Sequence, residues 1–260
     1  MEHVAHDPIG AEVTGVDLRT LGEADVDAIT TLLAEHGVVA FRGQDLDDAG
    51  FVAFLRRFGD LTFTEGETPV DGAPDLNVVS NVGRTTPPRS SFHVDTSYVR
   101  HPPRYTALRA VAIPAEGGQT LFTNQYRALE TLPADERADL AGRTITHVMT
   151  GLDLDADAET SAEHPAVLRH PVSGRDALYL STPQRCVAIS GMDEADAAAT
   201  IARLLEHSTR DENVHRHGWA PGDVVMWDNR CVLHRADHSG VVGDRVMHRG
   251  MVAGHPSATA

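Results

Sequence analysis

Apolar positions along this chain follow two periods. Between residues 23 and 36 they fall at Val26, Ile29, Leu32 and Leu33, three and four apart. That spacing predicts a helix with one buried stripe, stopped by Gly37. Residues 46–58 repeat the pattern with Phe51, Phe54, Leu55 and Phe58 and predict a second helix, ending at Gly59. Residues 193–207 predict a third, with Asp193 near its N-terminus and Ala197, Ile201, Leu204 and Leu205 inward. Short helices are expected at 126–132 and 135–141.

The remaining apolar runs are short and predict strands. They lie at 8–18 (with a turn), 38–41, 76–80, 92–98, 104–113, 119–122, 167–169, 177–180, 187–189, 223–227 and 245–252. Outside the strand at 76–80, residues 62–91 are rich in Pro, Gly, Asp, Thr and Asn and read as loop. Residues 150–163 are acidic and Ala-rich, either a lid or a solvated surface loop. No repeat or linker divides the chain. Many short strands with a few outlying helices predict a mostly β fold, a double-sheet jelly roll, as a single domain over residues 1–260.

The formal net charge of −16 argues against nucleic acid or an anionic membrane surface as partners. No apolar run approaches a membrane span, and residues 1–10 show no signal-peptide pattern. The two cysteines, Cys186 and Cys231, cannot form a disulfide framework and suit a reducing cytoplasm. All 22 basic side chains are arginine, which excludes lysine Schiff-base chemistry.

His93-Val94-Asp95 sets two ligand-type side chains two residues apart, on one face if they lie on a strand. His234, from far along the chain, completes two imidazoles and one carboxylate. That set binds non-haem Fe(II) and leaves further coordination positions open. With 15 histidines, His-x-Asp alone arises by chance, so the neighbouring residues carry the specificity. His215-Arg216-His217 has similar spacing but no accompanying acid, and reads as a solvent-facing strand. Arg245 and Arg249, an even number apart on an apolar strand, need an anion to offset their burial.

Here the chain resembles a known family. Phe92-His93-Val94-Asp95-Thr96-Ser97-Tyr98, Gly117-Gly118-Gln119-Thr120, Trp227-Asp228-Asn229-Arg230 and Met247-His248-Arg249 are similar to motifs of the taurine/dichlorophenoxyacetate dioxygenases. The likeness runs from Pro8-Ile9-Gly10-Ala11 through Arg57-Phe58-Gly59-Asp60-Leu61 to the last strand. It implies a double-stranded β-helix and chemistry dependent on Fe(II), 2-oxoglutarate and O₂. By the resemblance, His93, Asp95 and His234 hold the iron, and Arg245 with Thr120 grips the distal carboxylate of 2-oxoglutarate. Arg249 matches an arginine that binds the anionic end of the substrate. Asp228 and Asn229 would shape the turn before His234. His248 would pack in the core or support the ligand residues.

The family pattern is not followed throughout. Taurine-handling members place a histidine soon after the Phe-Gly-acid-Leu segment, where this chain reads Thr62-Phe63-Thr64-Glu65. Just before the iron motif, where they offer an amide, it has Arg89. Residues 150–164 are also shorter. These departures point away from taurine and make Arg89 a second substrate-binding candidate. The expectation is hydroxylation of a small sulfonate, phosphonate, phosphate or carboxylate, releasing succinate and CO₂. An intact Asp95 argues against halogenation. A tailoring oxygenase acting on a larger metabolite and a non-catalytic jelly-roll binding protein stay as alternatives, and a homo-oligomer is left open.

Overall fold

The computed structural model describes residues 1–84, 90–151, 155 and 157–254. The first half runs β1 (Glu2–Ala5), β2 (Ala11–Thr14), α1 (Glu23–His36), β3 (Val38–Phe41), α2 (Asp48–Arg56), β4 (Leu61–Thr62), β5 (Pro69–Val70), β6 (Ala73–Ser80) and β7 (Tyr105–Ala112). Next come β8 (Thr120–Asn124), α3 (Gln125–Glu130), α4 (Ala134–Leu140), β9 (Thr144–Val148), β10 (Ser161–Pro165), β11 (Val167–Arg169), β12 (Asp176–Leu178) and β13 (Cys186–Ile189). The chain closes with α5 (Glu194–Ser208), β14 (Val214–His217), β15 (Val224–Asp228), β16 (Val232–Ala236) and β17 (Val246–Val252).

The apolar stripes explain the layering. The major sheet has the order β1-β2-β3-β15-β7-β17-β6-β5, with β4 added to β17. Its outer face receives α1 and α2, whose Ile29, Leu33, Phe51, Phe54 and Leu55 pack on Val39, Phe41, Leu76, Val224 and Met226. Each phenylalanine buried there contributes about 2 kcal/mol. The inner face meets a second sheet, β14-β8-β16, through Leu108, Phe122, Val225, Trp227, Val232 and Met247. Because β3 and β15 are covered on both faces, they read as continuous apolar runs rather than alternations. This is the expected mostly β jelly roll with helices outside.

The first helix matches its expected bounds. Gly37 at φ 67° donates its N–H to the Leu33 carbonyl at 2.8 Å. A Cβ there would approach Ile9 Cδ1 to 2.5 Å, so only glycine fits the close. Asp193 caps α5, accepting the Asp196 N–H at 2.9 Å.

Three strand expectations fail instructively. Residues 92–98 are not a strand: His93 makes a single bridge to His234 and the chain then turns. The strand that carries His234, β16 (Val232–Ala236), is missing from the expected ranges. Of the stretch expected to be irregular, residues 161–165 pair with β9, while 152–154 and 156 lie outside the described residues. Polar, short strands such as β9 and β10 carry too few apolar residues to announce themselves, and gain their stability from neighbours in the sheet.

Candidate functional site

His93 and His234 are set side by side by their own backbones. His93 N–H donates to the His234 carbonyl and His234 N–H to the His93 carbonyl, each at 3.0 Å, and the rings lie 4.4 Å apart. Asp95 does not reach them by strand alternation. Thr96 takes φ 47°, rare for a β-branched residue, and the Val99 N–H closes the turn on the Thr96 carbonyl. Asp95 Oδ1 lies 3.7 Å from His93 Nε2 and Oδ2 3.6 Å from His234 Nε2.

The protonation states suit a cation between these atoms. The His93 Nδ1 hydrogen donates to the Ser91 carbonyl at 2.8 Å, which leaves Nε2 as the ring nitrogen that faces Asp95. Burial pushes His234 down to about 3, against the pull of Asp95, so the ring is neutral near pH 7. Burial opposes ionisation of Asp95, yet His234, Arg249 and His93 hold its carboxyl well below the usual range. With His234 neutral, the permanently charged Arg249 is the cation that matters. Two imidazoles and a carboxylate with 3.6–3.7 Å spacings can all reach one ion bonded at about 2.1 Å to each. The donor set therefore fits Fe(II).

Behind Asp95 stands a support that sequence reasoning did not single out. Thr106 Oγ1 donates to Asp95 Oδ2 at 2.8 Å and accepts from Asn229 Nδ2 at 2.9 Å. The Asn229 Oδ1 accepts from Trp227 Nε1 at 3.1 Å. Asn229 thus does more than shape a turn: it fixes the hydroxyl that orients Asp95.

Arg245 is 1% exposed and has no carboxylate partner among the described residues. Its Nε donates to the Gly118 carbonyl at 2.8 Å and its Nη2 to Thr120 Oγ1 at 3.2 Å. Burial lowers it to about 10, still protonated at neutral pH. Trp219 Nε1 also donates to Thr120 Oγ1, at 3.1 Å. With two donors on its oxygen, the Thr120 hydroxyl is free to donate outward. Gly118, at φ 74°, lies so close that a Cβ would meet Pro114 Cγ at 2.8 Å and Arg245 Cδ at 3.1 Å.

Arg249 is half-buried and is not free. Its Nη1 donates to Asp95 Oδ1 at 3.3 Å and its Nη2 to Glu67, a residue the sequence analysis passed over. The local acid Asp244 plays no part in these bonds. One cavity of about 380 Å³ is lined by His93, Thr120, His234, Arg245, Arg249 and Glu67, together with Trp227 and His238. Arg89 lies outside the described residues.

Other expectations need revision. His217 is buried rather than solvent-facing, and it does have an acid, Asp223, at 3.2 Å. His248 pairs with Asp48 of α2 at 2.6 Å, away from the cavity. His170, Asp228 and Cys231 cluster in the core, but His170 Nδ1 accepts two backbone N–H groups. Its Nε2 hydrogen therefore points at Asp228, which Arg230 also grips at 2.5 Å, leaving no lone pair for a metal.

Comparison with known proteins agrees with this geometry. The model of the "Taurine catabolism dioxygenase TauD, TfdA family" matches residues 2–251. An alpha-ketoglutarate-dependent 2,4-dichlorophenoxyacetate dioxygenase of Cupriavidus pinatubonensis is 33% identical, over 94% of this chain and 94% of the relative. An alpha-ketoglutarate-dependent sulfate ester dioxygenase of Pseudomonas putida is 33% identical, over 95% of this chain and 87% of its own. The crystal structure of AAD-2 in complex with Mn(II) and N-oxalylglycine superimposes with a TM-score of 0.84 at 26% identity, covering 98% of each chain. These likenesses set aside the non-catalytic alternative. The chain belongs to the TauD, TfdA family and is a 2-oxoglutarate-dependent dioxygenase that uses Fe(II) and O₂.

Proposed function

We propose that this enzyme, acting as one catalytic domain, hydroxylates a C–H bond of a small organic acid and converts 2-oxoglutarate to succinate and CO₂. One oxygen atom of O₂ enters the product and the other enters succinate. His93, Asp95 and His234 would hold Fe(II), which supplies O₂ activation and a chelation point for the 2-oxo acid. The observation that carries the reading is Arg245: a buried guanidinium with no acid partner among the described residues, in the same cavity as His93 and His234. A planar guanidinium takes a carboxylate through two parallel bonds, so it would anchor and orient the far end of 2-oxoglutarate. The outward-facing Thr120 hydroxyl, held by Trp219, adds a third bond.

Arg249, on the ligand side of the cavity, would receive the acid group of the substrate. The dichlorophenoxyacetate and sulfate ester named for the relatives are small anions of this kind. A cavity of about 380 Å³ sits near the small end of ligand sites, roughly 300–1,000 Å³, and favours these over a larger metabolite. Asp95 stays ionised beside Arg249, keeps its orientation through Thr106, and so holds the ligand set in place before any substrate arrives. We place the protein in the cytoplasm, acting on small molecules; no described helix is long and apolar enough to cross a membrane.

The test is succinate formation from 2-oxoglutarate under air with Fe(II), with and without a panel of aryloxyacetates, sulfate esters, sulfonates and phosphonates. Stimulation by one class, absent in His93→Ala, is the expected result. Failure to bind either Mn(II) or 2-oxoglutarate in direct titration would overturn the proposal.

A further inference from the structure

We infer that Glu67 is a specificity-determining residue: its carboxylate holds the acid-binding position on Arg249, and an anionic substrate has to displace it. This rests on the proposal that Arg249 faces the substrate. Arg249 has two acidic partners, and they differ in how firmly they are held. Asp95 is 5% exposed by side chain, belongs to the ligand cluster and is fixed by Thr106. Glu67 is 31% exposed by side chain, lines the cavity, and sits on the turn between β4 and β5. Among the described residues its carboxylate has Arg249 as its one ion-pair partner, and its backbone N–H makes a long 3.3 Å bond to the Thr64 carbonyl. Of the two acids, Glu67 is therefore the one that can leave.

The exchange has a definite sign. A substrate whose end at Arg249 is uncharged leaves the Arg249–Glu67 pair intact. A monoanion must replace Glu67 on Nη2, and the displaced carboxylate then faces the incoming charge from the same turn. Replacing Glu67 with a neutral residue removes both the competition and the repulsion. Glu67 also lies just past the stretch that lacks the family histidine, separated from Thr62-Phe63-Thr64-Glu65 by Gly66 alone.

The experiment is calorimetric titration of the protein loaded with Mn(II) and N-oxalylglycine. The probes are 2,4-dichlorophenoxyacetate, hexyl sulfate and hexanesulfonate, with 2,4-dichlorophenoxyacetamide as the uncharged control. In Glu67→Gln at least one anion is expected to bind about tenfold tighter than in the wild type, a shift of about 1.4 kcal/mol. The amide should be unchanged, and the gain should vanish when Arg249→Gln is added. Glu65→Gln removes a charge from the same exposed turn and should stay within about twofold. Equal gains in Glu65→Gln and Glu67→Gln, or no gain for any of the three anions, would overturn the inference. Glu67→Asp, which retracts the carboxylate by one methylene, is a second handle and should also tighten anion binding. Loading with Mn(II) and N-oxalylglycine is measured first and separately, so a failed oxygenase reading shows there and not in the anion series.

Discussion

Arg245 and Arg249 show how one residue type acquires two roles four positions apart. Arg245 is buried and Arg249 half-buried, yet among the described residues only Arg249 is balanced by acids, from Asp95 and Glu67. Arg245 is left with a carbonyl and a hydroxyl, and so keeps its affinity for an external carboxylate. Arg245→Gln is expected to raise the KM for 2-oxoglutarate on the order of 100-fold, from losing a charge-assisted pair. The fold should survive, because no internal acid is orphaned; an unchanged KM would refute the anchor role. Thr106→Val tests the support of Asp95. Removing its 2.8 Å bond should weaken Mn(II) binding about 10- to 100-fold, as loss of a residue orienting a metal ligand does. Competition titration against a chelator reads this directly, and equal affinity would show that Asp95 needs no such support.

At the scale of elements, the site depends on junctions more than on strands. The His93–His234 bridge couples a turn to β16, and the Gly117-Gly118 turn feeds β8 while giving Arg245 its carbonyl. Gly118→Ala forces a Cβ into Pro114 and Arg245 at a positive φ. It should lower stability by about 1–3 kcal/mol and weaken 2-oxoglutarate binding at the same time. Phe54→Ala in α2 makes a contrast. It opens a cavity on the outer face of the major sheet, and should lower stability by about 3–5 kcal/mol with 2-oxoglutarate affinity unchanged in the folded protein. Urea unfolding and titration of each variant separate the two cases; a Phe54→Ala protein with weakened 2-oxoglutarate binding would mean that the outer core controls the site.

Across the whole molecule, burial of histidine sets a pH dependence. Burial, aided by His164 and Arg185, pushes His147 down to about 3, and burial does the same to His234, both from 6.5 when free. The folded state thus needs them neutral, while the unfolded chain protonates them below about 6.5. Their contribution to stability is complete above that pH and is lost as pH falls toward 3. The slope is up to about 1.4 kcal/mol per pH unit for each group. The urea midpoint of the metal-free protein should therefore be level from pH 8 to 7 and fall steadily from 6.5 to 5. A midpoint that stays level to pH 5 would show that these rings are not held neutral by the fold.

What the sequence determined by itself is local or chemical. Periodicity placed α1 at Glu23–His36, α5 within a residue, and β3, because a buried stripe or run is written in neighbouring positions. His93, Asp95, His234 and Arg245 were legible as candidates because few side chains can do the chemistry proposed for them and their neighbours form a recognisable pattern. Tertiary structure decided how those residues meet. His93 meets His234 through a backbone bridge, and Asp95 leads into the Thr96 turn rather than along a continuous strand, since turn geometry depends on what the chain is docked against. Arg249 is neutralised by a glutamate 182 residues away, and Thr106 is held by an asparagine 123 residues away. No spacing rule spans such distances. Which acid or hydroxyl a buried group finds is set by sheet register and packing, and these exist only in the folded chain.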